Sequence, residues 1–320
     1  MAKRPTRTKS VSAKRAVSPS TQAMVTGRKL AANAIRDRDA ALKHRQAALR
    51  QQVTAAAPRA ALPRLVAAAG APARATLVAE GDSWFNYPFH DVLSMLEDHH
   101  GYDVESVAHA GDTVEAMAYS GGQLGSFTST IEKLLRRGVV PAAILLSGGG
   151  NDVAGDEFAV LLDHALSPSP GLNDMVVRGV IEGRVKNAYV TILSAVTAIC
   201  EQRTGHTIPI VMHGYDHPVP DGRGILGGFG PLPGPWLQPG FRQKGFDDPA
   251  STLAIVGDLI DRFNAMLQTI PQIAGLGHVR YLDLRGTLKD DNTYKTWWAN
   301  ELHPTERGFA AIADKFANVL

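Results

Sequence analysis

A single cysteine, Cys200, stands in the 320 residues, so the chain can form no internal disulfide. It falls in an apolar helical stretch (AYVTILSAVTAIC) and is read as a small core residue rather than a nucleophile. No apolar run approaches the roughly 20 residues that a membrane span needs. The positive amino terminus is followed by no apolar core, so it is not read as a secretory signal, and a cytoplasmic location is expected. Glycines are plentiful, yet nowhere in the order G-x-x-x-x-G-K-[ST] that cradles phosphates. The histidines lack carboxylate or cysteine partners at metal-ligand spacing, so neither metal nor organic cofactor is expected.

Acidic residues are nearly missing from the first 75 positions. Asp37 and Asp39 stand there against 16 Lys and Arg, whereas the rest of the chain holds 17 basic and 29 acidic residues. A basic arm is thus joined to an acidic body, and the net charge of +2 conceals both. Such an arm suits an anionic surface, a partner or the protein's own body. It carries no interleaved aromatics and no recognition motif, so nucleic acid is not an expected partner. Residues 1–24 have almost nothing to bury and are expected to be a disordered basic tail. Residues 25–75 are expected to form a basic, Ala-rich helical arm followed by a linker.

From residue 76 to 320 the pattern becomes regular. Short apolar runs at 76–80, 102–108, 142–147, 208–213 and 279–284 alternate with helix-period segments at 91–100, 123–137, 186–203, 251–270 and 304–320. Strands apolar on both faces, alternating with helices, predict a mainly parallel sheet covered on both sides. The expected fold is a three-layer α/β/α sandwich with a five-stranded, flavodoxin-like sheet. Its crevice should lie outside the carboxyl ends of the strands. Two segments interrupt the rhythm. Residues 154–184 carry an extra helical portion broken at Ser167-Pro-Ser-Pro-Gly171, and 214–249 is dense in Gly and Pro. The aromatics Tyr215, Phe229, Trp236 and Phe241 argue for an ordered flap in the second segment, because leaving them in water is unfavourable.

The strand ends carry the polar residues. The first ends at Gly81-Asp82-Ser83, the second runs into His109-Ala110-Gly111-Asp112, and the third into Gly148-Gly149-Gly150-Asn151-Asp152. Asn300-Glu301-Leu302-His303-Pro304 precedes the last helix. A hydrolytic serine needs a base to take its proton and donors to hold the oxyanion. Ser83 and His303 suit the first two roles. The N–H groups of Ser83 and Gly111 and the side-chain amide of Asn151 suit the third. Pro304 at a first helical position would hold His303 at a helix N-terminus, which favours a neutral imidazole. Asp82 is read as an anchor of the turn and Asp152 as a brace of its loop.

These four blocks, in this order and at these places, resemble the SGNH or GDSL hydrolase family over residues 76–320. The resemblance implies a flavodoxin-like fold, ester or thioester hydrolysis, Ser83 as nucleophile, Gly111 and Asn151 as oxyanion donors, and His303 as base. The family usually has an aspartate three residues before the histidine, and this sequence has Asn300 there. In serine proteases the same exchange costs roughly ten-thousand-fold in rate. Asn300 is the positional match; Glu301, a backbone carbonyl or the more distant Asp290 and Asp291 are other groups to orient the ring. Trp84, Phe85, Tyr87 and Trp236 are candidates for pocket walls, with core packing as the alternative for the first three. The expected activity is hydrolysis of a small-molecule or lipid carboxylic ester through an acyl-serine. A thioesterase, a lysophospholipase or a non-catalytic ligand-binding protein are the alternatives.

Overall fold

The computed structural model describes residues 17–55, 73–120, 122–225 and 233–320. The 1–16 part of the basic tail, the linker at 56–72 and the middle of the Gly/Pro-rich segment, with Phe229, lie outside the described residues. In chain order the elements are α1 (Pro19–Ala55), β1 (Thr76–Glu80), α2 (Val92–His100), β2 (Asp103–Ser106), α3 (Val114–Tyr119), α4 (Gln123–Arg136), β3 (Ala143–Leu146) and α5 (Gly150–Val153). There follow β4 (Leu162–Asp163), β5 (Gly171–Leu172), α6 (Asp174–Arg178), a π-helical turn (Gly179–Val185) and α7 (Lys186–Thr204). The chain closes with β6 (Ile210–His213), α8 (Gln238–Gln243), α9 (Pro249–Thr269), β7 (Val279–Leu282) and α10 (Glu306–Ala317).

Five strands form one sheet in the order β2-β1-β3-β6-β7, every pair parallel. The two-residue β4 and β5 form a separate antiparallel ribbon inside the first insertion. Leu77, Val78 and Ala79 of β1, all of β3 and all of β6 are buried, as strands covered by helices on both faces must be. On one side α2 packs with α10, and elsewhere α1, α3 and α4 gather around α7. This is the three-layer, flavodoxin-like sandwich that the alternating runs predict. Because β1 has β2 on one side and β3 on the other, the strand order reverses there, and the carboxyl ends of β1 and β3 open a crevice between them. Gly149 turns the chain sharply at the end of β3, with φ 97° and its Cα so near the Phe263 ring that a Cβ would lie 2.4 Å from it.

α1 begins at Pro19, inside the stretch expected to be tail, because its first half finds an apolar groove. Ala23, Met24, Ala31 and Ile35 are buried, and Ser194 Oγ of α7 donates to the Met24 carbonyl at 2.8 Å. Buried Glu132 on α4 pairs with Arg38 of α1 and Arg203 of α7, and Arg203 also reaches Asp39 at 2.8 Å. Part of the basic arm therefore packs on the acidic body. Among the described residues, no helix is long and apolar enough to cross a membrane.

Candidate active site

Ser83 sits in the tight turn that ends β1, where the Phe85 N–H donates to the Asp82 carbonyl at 3.0 Å. Asp82 is buried and fully engaged. One carboxylate oxygen accepts from Trp84 N–H (3.0 Å) and Ser147 Oγ (2.8 Å), and the other accepts from the Tyr215 hydroxyl. The ends of β1, β3 and β6 are thereby tied beneath Ser83, which is half-buried.

His303 is buried and reaches Ser83 from the opposite end of the sequence, its Nε2 2.7 Å from Ser83 Oγ. Its Nδ1 lies 2.9 Å from Asn300 Oδ1. That oxygen also accepts the backbone N–H of Leu302 (3.0 Å) and of His303 (2.9 Å), while Asn300 Nδ2 donates to the Tyr87 hydroxyl at 3.0 Å. Two backbone donors on one atom identify it as the oxygen, so Nδ1 carries the ring proton and Nε2 is free to accept from the serine. Burial, with no carboxylate to offset it, holds the imidazole pKa down to about 3. The ring is stacked on Tyr87 (centroids 4.3 Å apart, planes at 17°) and meets Trp236 at 5.2 Å and 68°.

Glu301 does not face the imidazole. Its buried carboxylate accepts four backbone N–H groups, from Gly222 (2.9 Å) and Gln238 (3.1 Å) on one oxygen and from Trp236 (2.6 Å) and Leu237 (2.8 Å) on the other. It thus clips two parts of the Gly/Pro-rich segment, Gly222 and Trp236–Gln238, to the histidine loop. Asp290 and Asp291 are exposed, and Asp291 accepts from Thr293 in its own turn.

The second and third blocks are laced together. Asn151 Nδ2 donates to the Asp112 carbonyl at 2.9 Å, leaving its second amide hydrogen available. Asp152 is buried and accepts the Val114 N–H at 2.8 Å, which holds the start of α3 and the Gly111 turn before it; burial pushes its carboxyl up to about 6. Gly111 has φ 89°. Among the described residues, neither the Ser83 nor the Gly111 N–H donates to a protein acceptor.

Beside Ser83 and Asn151 lies a pocket of about 520 Å³ counted to its open mouth, walled by Val153, Leu237, Val256, Leu259, Ile260 and Leu302. Trp84 lines it and donates from Nε1 to the Leu302 carbonyl at 3.0 Å. Phe85, expected as a possible wall, instead packs in the core against His213 and Phe316, while Trp84 packs on His213 and also lines the pocket. Trp236 stands over His303 rather than in the pocket. Sequence reasoning missed the aliphatic wall from α9 and the Glu301 clip. The apolar period of α9 was visible, but nothing in it says which residues face a pocket.

No family model matches the chain, and no curated protein does. Among solved structures, a catalytic mutant of Axe2, an acetylxylan esterase from Geobacillus stearothermophilus, is 14% identical over 77% of this chain and 94% of its own, with a TM-score of 0.39. A protein described as a GDSL-like lipase from Parabacteroides merdae is 12% identical over 77% of this chain and 95% of its own, with a TM-score of 0.40. An alpha/beta hydrolase, LAE5, from the metagenome of Lake Arreo is 13% identical over 77% and 94%, with a TM-score of 0.38. Likenesses this distant add nothing to what the strand order itself shows.

Proposed function

We propose that the chain is a serine hydrolase of the SGNH type, cleaving carboxylic esters through an acyl-serine. The hydrogen-bonded line from Ser83 through His303 to Asn300 carries the proposal. Ser83 Oγ attacks the ester carbonyl while its proton passes to His303 Nε2. The carbonyl oxygen, now negative, is held by the Ser83 and Gly111 N–H groups and the spare Asn151 amide hydrogen. The imidazolium returns its proton to the departing alkoxide, and the carbonyl re-forms as an acyl-serine. Water then gives a proton to the same nitrogen and attacks the acyl carbon; the proton goes back to Ser83 as the acid leaves.

The pocket favours an apolar acyl group. Its wall is aliphatic and aromatic, and its two acids are occupied: Asp82 as described, and Asp216 by the N–H groups of His217 (2.9 Å), Gly286 (2.9 Å) and Leu288 (2.6 Å). Among the described residues, no lysine or arginine lines it to take a carboxylate or phosphate. A thioesterase or lysophospholipase would use the same residues. Asn300 in place of an acid favours the contrasting reading, a protein that holds an ester or acid without turning it over.

Nitrophenyl esters graded by acyl length separate these readings. The expected result is turnover that rises with chain length, is abolished in Ser83→Ala and persists in Cys200→Ala, together with fluorophosphonate labelling of Ser83. Failure of the wild-type protein both to hydrolyse any ester and to be labelled leaves only the binding reading.

A further inference from the structure

The proposed mechanism creates a positive imidazolium in a buried site where, among the described residues, no carboxylate bonds to the ring; Asp82 beneath Ser83 is taken by Trp84, Ser147 and Tyr215. The groups facing His303 are Ser83, Asn300, Tyr87 and Trp236, none of them charged. Glu301, one residue away, is engaged by four N–H groups, and Glu306 on α10 is exposed and stands 3.6 Å from His90. An amide oxygen can orient the ring but brings no net charge. What can offset the charge is the π-face of an aromatic ring, which is electron-rich and attracts a cation within about 6 Å of its centre; Tyr87 lies nearly parallel to the imidazole at 4.3 Å and Trp236 is steeply tilted at 5.2 Å.

The geometry points to Tyr87 as the group that stands in for the missing carboxylate, a positioning residue whose ring face stabilises the His303 imidazolium and whose hydroxyl fixes the Asn300 amide. The inference rests on the hydrolase reading. Near-parallel stacking with centroids 4.3 Å apart sets the imidazole against the phenol face. The Tyr87 oxygen accepts from Asn300 Nδ2, so one side chain touches both partners of the base–orienter pair. Two independent ties hold the loop carrying it: Asn86 Nδ2 donates to the Ala108 carbonyl (2.9 Å) and Val92 N–H to the Trp84 carbonyl (3.1 Å). Two residues on, Phe89 is 88% exposed and adopts φ 78°, the left-handed region that a bulky side chain avoids. An unfavourable backbone at an exposed phenylalanine buries nothing itself; it belongs to the turn that presents Tyr87 to His303.

A packing role and an electrostatic role separate in a double-mutant cycle, because only the second becomes redundant when a carboxylate is supplied. The assay is kcat and KM on the acetyl nitrophenyl ester for wild type, Tyr87→Leu, Asn300→Asp and the double variant, with Tyr87→Phe as the conservative control. Losing a desolvated cation–π contact predicts about a 30-fold fall in kcat for Tyr87→Leu at unchanged KM. In the Asn300→Asp background the same change should cost less than about fivefold, since the acid then balances the imidazolium. Tyr87→Phe keeps the face and loses one neutral hydrogen bond, so it should fall within about fivefold of wild type. Tyr87 is only half-buried, so its replacement leaves the fold intact, which circular dichroism checks. Equal losses in both backgrounds, or a Phe variant as impaired as the Leu variant, overturns the inference. Absence of turnover in the wild-type protein removes its premise along with the hydrolase reading, whereas turnover without coupling sinks the Tyr87 role alone.

Discussion

Glu301→Gln is the sharpest perturbation of Gly222 and Trp236–Gln238, which border the site. The native carboxylate takes two backbone N–H groups on each oxygen. A glutamine keeps one oxygen, and whichever way its amide turns, its NH2 faces two buried donors. Each hydrogen bond to a charged acceptor contributes about 1.5–3 kcal/mol, so losing two suggests about 3–6 kcal/mol. Removing a buried charge recovers part of its desolvation, which brings the expected loss to the lower end, about 3 kcal/mol. This is local: the N–H groups belong to Gly222 and to the run Trp236–Gln238, so the segment should open about 150-fold more often while the sheet stays closed. Hydrogen exchange read by mass spectrometry on peptides covering 233–243 should show that acceleration, with β1 and β3 unchanged. Since Trp236 meets His303 and Leu237 walls the pocket, kcat/KM for long acyl esters should fall with it. Unchanged exchange at 233–243 would refute the clip. Equal acceleration throughout the chain would show that Glu301 supports the whole fold instead.

Three further outcomes are expected. His303, ordinarily near 6.5 and here held near 3, is neutral and competent far below pH 6.5, so kcat/KM should show no imidazole limb there. Any loss near pH 6 should follow Asp152 and vanish in Asp152→Asn, and Asn300→Asp should raise the imidazole limb towards neutrality; a limb at pH 6.5 that survives Asp152→Asn contradicts this. Glu80, buried with one carboxylate oxygen unpartnered, is pushed from 4.5 up to about 8, so the folded state holds a proton that the unfolded state has lost and stability declines as pH rises through that window. Glu80→Gln should flatten that decline in Tm, and parallel wild-type and variant curves would exclude it. Gly27→Ala would gain about 1 kcal/mol in a free helix, yet its Cβ would stand 2.4 Å from the Thr191 carbonyl oxygen. Overpacking costs about 1–3 kcal/mol, so Tm should drop by several degrees; a rise in Tm would mean that α1 does not pack on α7.

The sheet was legible because parallel strands covered on both faces write themselves as apolar runs, and because their polar ends fall at one edge. Gly81-Asp82-Ser83 and Gly149-Gly150-Asn151 needed no tertiary knowledge to be placed there. The start of α1 was not legible: Ala23 and Met24 look too sparse to anchor a helix until the groove on α7 receives them. Trp84 and Phe85 show a second limit. Both are buried against His213, yet only Trp84 also lines the pocket, and composition cannot tell which of two adjacent aromatics reaches it.

Asn300 and Glu301 show the limit at its most consequential. From sequence, an acid next to the asparagine could serve the histidine in its place. Fixed by the Leu302 and His303 N–H groups, Asn300 directs its oxygen at the imidazole, and Glu301 faces the other way into four donors from a segment more than 60 residues earlier. Turning that carboxylate to the histidine would leave those donors unpaired, at about 1–3 kcal/mol each, more than one added charge returns at a site already neutral at rest. Holding Gly222 and Trp236–Gln238 and charging the imidazole therefore compete for one acid, and the fold gives it to the backbone N–H groups. In the proposed mechanism, what remains for the base is uncharged: an oriented amide and the aromatic face of Tyr87, more than 200 residues away, where no motif marks it.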